Sequence, residues 1–512
     1  MDNKIIPWDF FSKLTIICFL GLQIIRWPLF PQFMDIYYHL LTAWGFIQAG
    51  GYTGWDFWQF APVGRMHIYP PLFHFILVFF MKLGIDRLIL AKSLEAILPI
   101  IFLIVLWQFV QKNYSSSLAF FSLISLNSSF SFYLSLMNFL PATLAMILGI
   151  LALDQFFQKQ ILRTTTLLTL CFYTHIGVAY FFILGIILYG IFNKSLRRMS
   201  FLIAFGSFLL SLPVLFKQIS ALRLISISHI PIRFFCEFKT VDYILGISGL
   251  FISFRRNERF NLFLSLFFAS FIFIYYPSRL ISAQGYLPII FLSAVTLDEL
   301  FNKIRFKIAY TRYAFFLLLG LLIFVSPTIL MEESQETCKM KYSLYIYDSS
   351  LINMIFPNRN KRVTAINILP SRESLATAEL IKQHSFNDDI IFSDLHHVGV
   401  GLASISGRAT ANALLPELCS VSGFDPLSVS KIYIASKDIK QSFLEAIANN
   451  YKLLKIGENK LFIIYKNPQC PFKSQIKKAS VSFRVIWFIV FVIGIFFSQA
   501  KRIESYIKKY LT

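Results

Sequence analysis

The sequence is poor in charge. Charged residues fill 15% of its 512 positions, and acids supply only 27 of them. Hydrophobic residues make up 56%, with 58 phenylalanines, and mean hydropathy is +0.63. A soluble fold of this length needs a polar surface that this composition does not supply; lipid can cover the excess. Cysteine is also scarce, with six residues and no CxxC pair or Cys/His metal spacing. That pattern argues against a structural zinc site. Cys338, Cys419 and Cys470 share one polar segment, and spacing does not fix a disulfide among them. No small-residue cleavage site follows the first apolar run, Leu14 to Phe30, so we read it as a retained transmembrane helix. No internal repeat and no low-complexity tract is found.

What is present is a series of apolar stretches, each near the roughly 20 residues a span requires. Twelve are read as spans: 14–31, 94–111, 116–134, 140–157, 163–177, 178–193, 199–217, 240–254, 260–276, 280–298, 313–331 and 482–498. The formal net charge of +21 raises a nucleic-acid partner. The basic residues, however, recur as short clusters between apolar stretches, not as one stripe with interleaved aromatics, so none is expected. They work instead as topology signals. With Lys4 and Lys13 inside, successive crossings place Lys112, then Lys159 and Arg163, then Lys194, Arg197 and Arg198 inside. Arg255, Arg256 and Arg259 follow, then Lys303, Arg305, Lys307 and Arg312, and last Lys501, Arg502, Lys508 and Lys509. Both termini are then cytoplasmic.

Three segments are left outside: 32–93, 218–239 and 332–481. The first contains an apolar stretch, Tyr69 to Leu83, that opens with YPP and is read as interfacial or re-entrant. A crossing there would invert every later basic cluster. The third reads as a small α/β unit: a helix from Ser371, strands at DDIIFSD and KIYIA, a helix at KDIKQSFLEAIANN, and a final strand pair. The expected architecture is thus an α-helical polytopic membrane protein with a small extracytoplasmic α/β domain. Its parts are a membrane domain (1–331), the α/β domain (332–481), and a final span with a basic tail (482–512).

Acids near a membrane are informative, because burying a charge is costly without a partner or a job. Asp35 follows the first span directly. It reads as the N-cap of IYYHLLTAWGFIQ, as a boundary carboxylate able to act as base or metal ligand, or as both. Asp56, Arg65, His67 and His74 lie in an aromatic loop suited to sugar or polyprenyl contacts or to an interfacial aromatic belt. Arg65 is a cation placed to pair a phosphate. Asn138 is the most polar group of the next outer turn, and His175 lies at the one after. Arg279, in SRLISAQGYLP, either snorkels or binds an anion. Asp394, His396 and His397 are grouped in the polar segment without a third metal ligand in view, and Asp394 reads as a loop cap.

In this order the features resemble the GT-C superfamily of membrane glycosyltransferases, and in particular the catalytic subunit of oligosaccharyltransferase. Most of the chain is covered. The strongest match is the first loop: Asp35 with IYYH, FAPVGRMHIYPPL, and GIDRLILAKSLEAILP. SRLISAQGYLP resembles the stretch whose Arg contacts the lipid-linked phosphate. FSDLHHVGVGLASISGR stands where the family carries WWDYG, here replaced by LHHVG (395–399). The family's second acidic motif is absent, with Asn138 nearest to its place.

The resemblance implies transfer of a sugar or glycan from a polyprenyl-phosphate-linked donor, at the outer face of a plasma membrane, to a glycan or protein acceptor. Asp35 would be the base, and Arg279 with Arg65 would hold the donor phosphate. Tyr38, His39, Asp56, His67, Asn138, His175, His396 and His397 would contact sugar or acceptor. For a divalent metal, magnesium or manganese, Asp35 is the one ligand the resemblance supplies. Transfer of a whole lipid-linked glycan, a noncatalytic scaffold and a transport protein are the alternatives.

Overall fold

A computed structural model describes residues 7–221, 235–303, 309–333, 340–356, 371–414 and 423–486, with 488, 492 and 494 beyond. Lys4, Arg305, Lys307, Cys338, Cys419, about half of the expected last span and the tail with Lys501, Arg502, Lys508 and Lys509 lie outside these residues. Cys470 is a buried free thiol.

The chain begins with α1 (Trp8–Ile25), whose apolar flank is largely exposed, as a lipid-facing span's would be. Two helices of the first loop follow, α2 (Asp35–Ala49) and α3 (Leu72–Lys82). Then come α4 (Arg87–Asn113), α5 (Ser116–Ser128), α6 (Phe130–Asn138), α7 (Leu140–Phe157), α8 (Ile161–Thr174) and α9 (Ile176–Phe192). The series continues with α10 (Arg197–Ala221), α11 (Thr240–Arg255), α12 (Asn261–Ser270), α13 (Pro277–Ile281), α14 (Leu287–Lys303) and α15 (Ala309–Val325). Each of the first eleven expected spans coincides with a helix or a broken helix pair. Among the described residues, five helices are long and apolar enough to cross a membrane unaided, and α5 with α6 makes a sixth that is bent by 84°. The chain is a multi-pass membrane protein.

The bend has a local cause. Ser129 caps α6 by accepting from the Phe132 amide, and Ser128 donates to both oxygens of Asp242 on α11, at 3.0 and 2.8 Å. Tyr286 also donates to Asp242. A buried acid on one span thus holds the break in another. The abundant phenylalanine is used as ring packing: Phe263 stacks on Tyr114 and on Phe291, with centroids 4.7 Å apart in each case.

The polar segment carries a five-stranded mixed sheet. Its strands are Ile390–Ser393, Ala409–Thr410, Ile432–Ser436, Leu454–Glu458 and Phe462–Lys466. Ile432–Ser436 is central, and Ile390–Ser393 beside it pairs in parallel with both Ile432–Ser436 and the edge strand Ala409–Thr410; the other pairings are antiparallel. Helices Arg372–His384, His396–Ser406 and Gln441–Asn450 accompany it. Ser371 caps the first of these, as expected. Strand Thr328–Glu333 runs across position 331 and joins a separate antiparallel sheet with Phe235–Lys239 and Met340–Tyr345.

The first loop is stitched onto this segment. Thr410 donates to the Trp58 carbonyl and Ala61 to the Thr410 carbonyl, both at 3.0 Å, so the loop covers the sheet's edge strand. Gly51–Tyr52 pairs with Val481–Ser482, and helix His396–Ser406 packs on α2.

Candidate active site

The site is built on the two loop helices. Asp35 is the first residue of α2, and its side chain keeps 21% exposure. One turn later, on the same face, is His39, fully buried. His39 Nε2 lies 3.2 Å from Asp35 Oδ2, and its Nδ1 lies 2.9 Å from Nε2 of His74 on α3. A neutral His39 that donates Nε2–H to Asp35 leaves Nδ1 to accept from His74. Burial holds His74 and His67 well below the ordinary imidazole range, so both rings are neutral at pH 7. Tyr38, Tyr69 and Phe73 surround His39, with centroids 5.0 to 5.2 Å away. The other Asp35 oxygen has no hydrogen-bond partner among the described residues.

Arg279 sits half-buried on the short helix α13, its guanidinium 5.4 Å from the Tyr276 ring. It has no ion-pair partner among the described residues. Burial pushes the Tyr69 phenol well above its ordinary value; Asp35 adds to that shift and Arg279 opposes it. Both charges therefore act on the same hydroxyl. His175, which caps α9 by accepting from the Val178 amide at 3.2 Å, is within electrostatic reach of Arg279 and His39. Asp35, His39, Tyr69, His175 and Arg279 thus gather at one end of the bundle.

Other expected residues are placed differently. Arg65 is a correction. Its guanidinium is buried, pairs with Asp56 Oδ2 at 3.2 Å, and donates to Gln59 Oε1 and, at 2.8 Å, to the Leu414 carbonyl. A guanidinium so enclosed fastens the loop to the polar segment and presents no face to a donor phosphate. Asp56 is consumed in the same cluster and does not face a sugar. His67 is sealed among Phe46, Trp58 and His74. Asn138 ends α6, half-buried and outside the Asp35 hydrogen-bond chain. His396 is exposed, near Asn412, and His397 is half-buried beside it. Asp394 accepts from the Ser436 amide at 3.0 and 3.1 Å, the loop-capping role expected of it.

No protein-family model matches the chain, and no curated protein sequence matches it. Solved structures do. The archaeal oligosaccharyltransferase AglB from Archaeoglobus fulgidus, in complex with an inhibitory peptide and a dolichol-phosphate, is 11% identical, with a TM-score of 0.55 over 91% of this chain and 75% of its own. The same organism's oligosaccharyltransferase in complex with Zn and sulfate gives 10% identity and a TM-score of 0.52 over 85% and 69%. ArnT from Cupriavidus metallidurans, bound to undecaprenyl phosphate, gives 10% and 0.52 over 90% and 99%. The chain has the GT-C membrane fold.

The Asp35 carboxylate does not come with a ready-made set of protein ligands for a metal. Its near neighbour His39 already spends both ring nitrogens, and among the described residues no three His, Cys, Asp or Glu side chains come together as ligands. No step below is routed through a metal. Two groups near this site escape a reading of the sequence. Tyr69 looks like one more belt aromatic. Glu95 hides in an apolar run, although an acid inside a span is itself a signal.

Proposed function

We propose that the chain is a membrane glycosyltransferase that moves a sugar or glycan from a polyprenyl-phosphate-linked donor to an acceptor on the extracytoplasmic side. The observation that carries this reading is a half-open loop carboxylate, braced on one oxygen by a buried histidine, that shares its surroundings with an arginine unpaired among the described residues. The two solved GT-C structures named with dolichol-phosphate and undecaprenyl phosphate support the choice of donor class.

The acceptor hydroxyl attacks the anomeric carbon. Asp35 takes its proton through the free oxygen, with His39 holding the other. The bond from the anomeric carbon to the phosphate oxygen breaks, and its electron pair leaves with the lipid phosphate. Arg279 stabilises that charge. The product carries the new glycosidic bond, and the lipid phosphate stays in the bilayer.

The test uses purified protein in lipid nanodiscs with polyprenyl-monophosphate-linked sugars. Asp35→Ala and Asp35→Asn are expected to lower transfer roughly 10²- to 10⁴-fold. Arg279→Gln is expected to raise the donor KM as well. Full transfer by Asp35→Ala would remove the proposal. Transfer only from pyrophosphate-linked oligosaccharides would favour the whole-glycan reading.

A further inference from the structure

Glu95 is a carboxylate inside α4 with no cation paired to it among the described residues. It is fully buried. Its oxygens go to backbone: Oε2 accepts from the Gln32 amide at 2.7 Å, and Oε1 from the Phe33 amide at 3.1 Å. Two adjacent amides match the two oxygens of one carboxyl group. These amides lie just before Asp35 in the chain. Met34 occupies the N-cap position of α2 and supplies no side-chain cap.

The grip is itself braced. Arg26 of the α1 end donates to Gln32 Oε1 at 3.2 Å and to the Tyr133 hydroxyl. Tyr133 donates to Gln23 Oε1 at 3.1 Å, and the Gln23 amide reaches the Ala96 carbonyl at 3.5 Å. Helices α1, α4 and α6 therefore converge on the two residues that lead into α2. Arg26 and Asp35 both lie within electrostatic reach of Glu95.

We propose that Glu95 is a positioning residue: its carboxylate clamps the amides of Gln32 and Phe33, fixes the first turn of α2, and so aims Asp35. This rests on the reading of Asp35 as the base. Glu95→Gln keeps the shape but turns an NH2 against one of the amides. Glu95→Asp keeps the carboxyl group but shortens the reach by one methylene, and gives the second measurement where Glu95→Gln does not accumulate.

Two readouts in nanodiscs decide the matter. Hydrogen exchange of the peptide covering residues 30–36 is expected to accelerate at least about tenfold in either variant, because the amides lose their acceptor. In sugar transfer, kcat is expected to fall roughly 10- to 100-fold, as small misplacements of a reacting group do. The donor KM should stay within about twofold, since α13 and Arg279 are untouched. A raised KM with unchanged kcat, or unchanged protection of 30–36, overturns the proposal. If the wild-type protein transfers no sugar, the glycosyltransferase reading falls, and the clamp stands or falls on the exchange readout alone.

Discussion

Asp35 and Asp56 share one loop and meet opposite fates. Asp35 keeps an oxygen toward solvent, while Asp56 is sealed against Arg65 and Gln59. Burial pushes the Asp56 carboxyl up from 3.8 to about 6, although Arg65 pulls the other way. Between those two values the folded chain holds a proton that the unfolded chain has released. This group's contribution to stability therefore grows as pH falls from about 6 toward 4, and is absent from Asp56→Asn. The check is the thermal midpoint of the solubilised protein at pH 7 and pH 5, wild type against variant. The variant should lose part of the wild-type gain at pH 5; a larger gain in the variant reverses the sign. At this scale the sequence was only partly legible. Asp35 and Arg279 stand out because charges set against apolar runs, away from the basic clusters, are rare. The fate of Arg65 was hidden, because its Leu414 partner lies 349 positions away.

At the scale of elements, helices are where the sequence speaks most directly, since each span is a long apolar run and Ser371 is a plain cap signal. The contact between loop and polar segment is harder to see, because its partners are far apart in sequence and it leans on one tight approach within the loop. Gly45 on α2 faces Trp58, and a Cβ there would lie 2.0 Å from the indole ring. Trp58 is fully buried and its carbonyl holds Thr410. Gly45→Ala must push Trp58 and the edge-strand pairing together, at a cost of about 1 to 3 kcal/mol. A lower melting midpoint and faster proteolysis within residues 57–65 are expected. Gly45→Ala with both unchanged would show that the indole moves freely. The sharp break between α5 and α6 was likewise not legible, because its anchor, Asp242, comes from a distant span.

At the scale of the whole molecule, the docking of the first loop constrains the topology. Tyr52 and Ala61 lie before α3, and Arg87 lies after it. All three bond the polar segment: Tyr52 pairs with Val481, Ala61 donates to Thr410, and Arg87 donates to the Ser404 carbonyl at 2.7 Å. Both ends of α3 therefore face the same side of the bilayer, and its 11 residues do not cross. The number of crossings from the first loop to the polar segment must then be even, which ten spans satisfy and eleven do not. By the positive-inside rule, the basic clusters at Lys112, Lys159 and Arg163, and Arg197 and Arg198 predict that the opposite side is the cytoplasm. In cells carrying a cysteine-free background, Glu379→Cys in the polar segment should react with a membrane-impermeant maleimide. Lys159→Cys, in the turn between α7 and α8, should react only after permeabilisation. Labelling of both before permeabilisation would break the parity, and the reverse pattern would turn the whole bundle over. In the second case Asp35 would no longer face an extracytoplasmic acceptor.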